Sequence, residues 1–74
     1  MKLKSLGTNQ TQIEKIDGTI VFFSYETPVA ANIPGEGFYR TAKKWSVTTS
    51  RHINKWLDGA MATEKPQEYF DKLA

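Results

Sequence analysis

Asp17-Gly18 sits between two runs rich in β-branched and aromatic residues, and this constrains the fold more than any other local signal. Gln12-Ile13-Glu14-Lys15-Ile16 precedes the pair, and Thr19-Ile20-Val21-Phe22-Phe23-Ser24-Tyr25 follows it. Aspartate and glycine accept the positive φ values of a type I′ turn, so the spacing predicts a hairpin with this pair at its tip. The second arm is apolar on both sides. Val21, Phe23 and Tyr25 point one way, and Ile20 and Phe22 the other. Such a strand lies centrally, with helices over one face and partial cover on the other.

Further along, Pro28 cannot donate to a sheet ladder, so Glu26-Thr27-Pro28 marks a bend or bulge. Val29 to Ile33 resumes the extended chain, and Pro34-Gly35-Glu36-Gly37 turns it into a strand at Phe38-Tyr39-Arg40-Thr41. A short strand is also expected at Lys44-Trp45-Ser46-Val47. The period then changes. Thr48, Thr49 and Ser50 carry hydroxyls suited to capping a helix, and Ile53, Trp56 and Leu57 follow at i, i+3, i+4 spacing. Gly59 suits the left-handed position just beyond the helix end. Pro66 opens a last short helix, with Gln67 and Glu68 at its positive end and Phe70 and Leu73 facing the core.

These elements must form one domain of 74 residues without cysteine. A chain this short buries only about 60–65% of its unfolded surface, so its stability margin is small. With no thiols there is no disulfide and no thiolate metal site, which suits a reducing compartment. A single histidine excludes a conventional structural zinc site within one chain. The amino-terminal residues Met1 to Gly7 lack the apolar core of a signal peptide, and Ile20 to Phe23 is too short to span a bilayer. A cytoplasmic protein without membrane contact is therefore expected.

Charge is distributed unevenly. Residues 40–55 hold five cations, Arg40, Lys43, Lys44, Arg51 and Lys55, and no acid, a sum of +5. The remaining 58 residues hold five lysines against eight carboxylates, a sum of −3. Opposed blocks of this kind direct one surface toward an anionic partner. Arg51 and Lys55 are four residues apart on the predicted helix and share a face. Arg40, Lys43 and Lys44 extend the patch across the preceding strand or loop. Cations follow phosphates, and an exposed aromatic such as Trp45 can stack on a base. The opposing reading is a solvated cationic face with both tryptophans in the core. Trp56 fits that reading best, because it shares spacing with Ile53. Tyr39 stays open between core and platform.

Little else carries chemistry. His52 is the single imidazole, and Ser50 is placed two residues away, on a different side of the helix. No Ser–His pair follows from the spacing, and packing or a surface contact is the expected role of His52. Gly35-Glu36-Gly37 lacks the third glycine and following helix of a phosphate loop. Glu14, Asp17, Glu26 and Glu36 lack calcium-loop spacing.

Val21 to Ala31, followed by Ser46-Val47-Thr48-Thr49-Ser50-Arg51-His52-Ile53-Asn54-Lys55-Trp56-Leu57, resembles a family of short tailed-bacteriophage proteins, a domain of unknown function. The resemblance covers about residues 12–58, and Thr48 to Leu57 is its most distinctive part. It implies an accessory protein made in the cytoplasm of an infected bacterium, acting by binding a phage or host macromolecule. It transfers no activity, cofactor or site residue.

The expected fold is a small α+β domain: a three- to four-stranded antiparallel sheet, one main helix and a short C-terminal helix. The expected function is non-enzymatic binding without a cofactor. Arg40, Lys43, Lys44, Arg51 and Lys55 would contact nucleic acid, with Tyr39, Trp45 and His52 as accessory residues. The alternatives are docking of the same patch on an acidic surface of a host protein, and a minor virion or assembly role in which the chain forms a homo-oligomer.

Overall fold

The hairpin forms around Asp17-Gly18, but with a three-residue tip. In the computed structural model, which describes residues 2–7 and 9–73, Gly18 N donates to Lys15 O at 3.0 Å and Lys15 N donates to Thr19 O at 2.8 Å. Ile16 and Asp17 are the central turn residues. Of the three tip residues, only Gly18 takes a positive φ, +91°. This is a type I turn followed by a left-handed residue, the three-residue hairpin solution rather than type I′. The Asp17 side chain favours it by accepting from Thr19 N at 2.9 Å. The hydrogen bonds from Thr19 hold the Asp17 carboxyl below its usual range.

The elements run β1 (Lys2–Gly7), β2 (Gln10–Glu14), β3 (Ile20–Ser24), β4 (Thr27–Ile33), β5 (Gly37–Thr41), α1 (Val47–Leu57), β6 (Ala62–Lys65) and α2 (Gln67–Leu73). They make one six-stranded sheet in the order β1-β2-β3-β4-β5-β6. The first five strands form an antiparallel meander, and β6 pairs parallel to β5. The domain is thus α+β as expected, but its sheet is neither three- to four-stranded nor purely antiparallel. The parallel pair arises because α1 carries the chain back along the sheet before β6 begins, the crossover that parallel neighbours require. The expected strand at Lys44–Val47 is absent. Trp45 lies in a loop, and Ser46 caps α1 by accepting from Thr49 N at 3.1 Å. At its other end Asp58 and Gly59 both take positive φ, which closes the helix.

The two helices lie on opposite faces of the sheet. Phe22 registers with Gln12 and Ala30, and its ring stacks on Trp56 of α1 at 5.1 Å. Phe22, Val29, Ala30, Ile53 and Leu57 form the buried cluster on that side. The neighbouring row, Val21, Ala31 and Tyr39, faces the other way, where Tyr39 meets Tyr69 of α2 and Phe70 is fully buried. Alternation along β3 therefore supplies two thin cores instead of one. A bulge in β4 serves the first of them. Phe22 pairs with Ala30 and Phe23 with Pro28, so Val29 is the extra residue and joins the cluster around Phe22. Pro28, lacking an N–H, fits beside that irregularity. No described helix is long and apolar enough to cross a membrane.

Candidate functional site

The end of β5, the loop after it and the first half of α1 enclose a cleft of about 600 Å³. Arg40 comes from β5, Lys43 and Lys44 from the loop, and Arg51 from α1, and all four line it. The local chain geometry explains this convergence. Lys43 N donates to Thr41 Oγ1 at 3.1 Å and Ala42 N donates to Lys65 O at 2.8 Å, so the strand turns sharply as it leaves the sheet. Ser46 then starts the helix. Arg40 is oriented from across the cleft, where its Nη1 donates to Asn54 Oδ1 at 3.1 Å. Glu64, the β6 residue registered with Arg40, contributes the single carboxylate of the lining among the described residues. The first turn of α1 contains no acidic residue, so the positive end of its dipole adds to the same field.

Trp45 forms part of the wall and is 43% exposed. Its Nε1 donates to Gln67 Oε1 at 3.1 Å, and Lys43 Nζ sits 4.0 Å from its ring centroid. Gln67 itself is fully engaged. Its Oε1 also accepts from Thr41 Oγ1 at 2.8 Å, while its Nε2 donates to Pro28 O at 2.7 Å and to Asp71 Oδ1 at 3.1 Å. An indole can only donate and a backbone carbonyl can only accept, so one amide orientation satisfies this set.

The remaining candidates lie elsewhere. Lys55 is exposed on α1 but outside the cleft lining. Tyr39 is on the α2 face of the sheet, where its hydroxyl donates to Glu36 Oε1 at 3.0 Å and Lys65 Nζ lies 5.5 Å from its ring. Donation to a carboxylate favours the protonated phenol, which raises the Tyr39 pKa. Trp56 packs against the core, as its spacing predicted, between Phe22 and Phe38, and it donates to Gln12 Oε1 at 3.0 Å.

His52 has a serine partner that the spacing did not reveal. Its Nδ1 is 2.8 Å from Ser24 Oγ, on β3, and the Ser24 hydroxyl also reaches Thr49 Oγ1 at 3.3 Å. Ser24 is only 2% exposed, and no carboxylate joins the network among the described residues. A buried hydroxyl without an oriented third group is a polar tie between β3 and α1 rather than an exposed nucleophile. Asn54, Gln67 and Ser24 act through partners 14 to 39 positions away, and nothing in their local sequence indicates this. Among the described residues, no three His, Cys, Asp or Glu side chains come together as a metal site.

A family of unknown function (DUF8033) matches residues 1–72. No curated protein and no solved structure matches the chain.

Proposed function

We propose that this chain, which belongs to the DUF8033 family of unknown function, binds nucleic acid through the cleft between β5 and α1, without catalysing a reaction on it. One observation carries the proposal. Four of the five cations in the acid-free window come from a strand, a loop and a helix, yet line the same open cleft. A merely solubilising set of charges would gain nothing from convergence, because like charges repel. A phosphate backbone repays that repulsion by neutralising several of them at once and releasing counterions. The likeness of Thr48 to Leu57 to tailed-phage proteins supplies the setting of the proposal, an infected bacterial cytoplasm rich in nucleic acid.

Contacts of this kind fix position without reading sequence. Titration of the full chain into a labelled oligonucleotide at increasing salt tests the idea. With four phosphates engaged, log K against log salt should fall with a slope of about −3. Absence of binding at low salt would overturn the proposal and leave docking on an acidic protein surface as the use of these cations.

A further inference from the structure

We infer that the nucleic acid taken by this cleft is single-stranded, and that Trp45 is the platform on which one of its bases stacks. The inference rests on the nucleic-acid reading above and names the ligand class of that site.

The position of Trp45 is not one that packing requires. The other tryptophan, Trp56, is stacked on Phe22, and Phe22 and Phe70 are fully buried. Trp45 instead leaves 43% of its surface open at the rim of a cationic cleft. It is held all the same. The Gln67 amide grips the indole by its N–H edge, and Gln67 is anchored to β4, β5 and Asp71. An indole fixed by its edge does not depend on its π faces for that hold, one of which carries the Lys43 ammonium, and little ordering remains to be done when a ligand arrives.

There is space beside the ring. Trp45 lines the cleft and also a second recess of about 220 Å³, bounded by Ser24, Tyr25, Val29 and Thr49. The Lys43 ammonium near the ring centroid shows that the indole can hold a partner over its face. A base is the stronger occupant of an exposed indole face. Its arrival would free Lys43 for the adjoining phosphate. In a duplex every base is stacked and paired within the helix, so the platform can engage only an unpaired strand.

The test compares fluorescence anisotropy titrations of the full chain with labelled oligothymidylate, oligouridylate and a duplex, each of about 20 nucleotides per strand, a length exceeding one small domain's site. Wild type should bind the single strands at least about tenfold more tightly than the duplex. Trp45→Leu should lose about tenfold on single strands with an unchanged salt slope, while Trp45→Phe, which keeps a ring, should retain most of the affinity. Equal affinity of wild type for duplex and single strands would overturn the stacking inference and leave the phosphate reading intact. So would an unchanged affinity in Trp45→Leu. If wild type binds none of the three at low salt, both readings fall together. The strand preference needs no variant, so it decides the single-strand claim even if Trp45→Leu does not fold.

Discussion

At the scale of single residues, Gln67 organises the site more than any cation does. It links Pro28, Thr41, Trp45 and Asp71 through four hydrogen bonds. Thr41 and Pro28 are buried, so Gln67→Ala removes the acceptor of the Thr41 hydroxyl proton and the side-chain donor to the Pro28 carbonyl, while Thr41 Oγ1 keeps its bond from Lys43 N. A loss of about 1–3 kcal/mol in denaturant unfolding is expected, together with weaker single-strand binding through a loosened Trp45. Unchanged stability would show that the bonds are not maintained in solution. Glu64 acts in the opposite sense, as the one acid in a cationic lining. Glu64→Gln should tighten oligonucleotide binding by a few-fold at low salt, an effect that fades at high salt as screening grows. A weaker complex would place the ligand elsewhere. The cations of the site were legible as residue types in an acid-free window. The holder of Trp45 was not, because a lone glutamine after a proline reads only as the start of a helix.

At the scale of elements, the β2–β3 hairpin shows what local chemistry can specify. Asp17-Gly18 marked its place, yet the turn type was decided by Ile16 entering the tip and by Thr19 N bonding Asp17. Gly18 has φ +91°, and a Cβ there would come within 3.0 Å of Pro34 Cγ. Gly18→Ala should therefore cost more than about 1 kcal/mol by thermal melting. Asp17 adds a pH dependence of defined sign. Its folded-state pKa lies below the ordinary 3.8, so its stabilising effect is present above about pH 4 and is lost as pH falls through the folded value. The stability difference between wild type and Asp17→Asn should shrink over that acid range, and a constant difference would contradict this. Two strands escaped sequence reasoning for a shared reason. Lys2-Leu3-Lys4-Ser5 and Ala62-Thr63-Glu64-Lys65 lie at the two edges of the sheet, where charged residues replace the apolar alternation that identifies a strand. Trp45, read as part of a strand, was displaced into a loop because Ser46 captured the helix cap from Thr48, Thr49 and Ser50.

At the scale of the whole molecule, one sheet keeps two helices apart and carries the cleft at its β5–α1 corner. Each face depends on a fully buried phenylalanine, Phe22 under α1 and Phe70 in α2. Phe22→Ala and Phe70→Ala should each cost about 3–5 kcal/mol, a large part of the margin of so small a domain. Both should lower one shared cooperative transition; separate transitions would mean that the faces fold independently. The charge polarity of the sequence has a structural counterpart only in part, since Lys55 lies outside the cleft that Arg51 lines. That difference permits the most direct test of the central claim. Arg51→Glu and Lys55→Glu change net charge identically, on the same helix, and both positions are exposed. If the cleft holds the nucleic acid, Arg51→Glu should weaken binding at low salt by about tenfold or more, and Lys55→Glu by no more than about threefold. Equal losses in the two variants would contradict a localised site and reduce the patch to a diffuse positive surface.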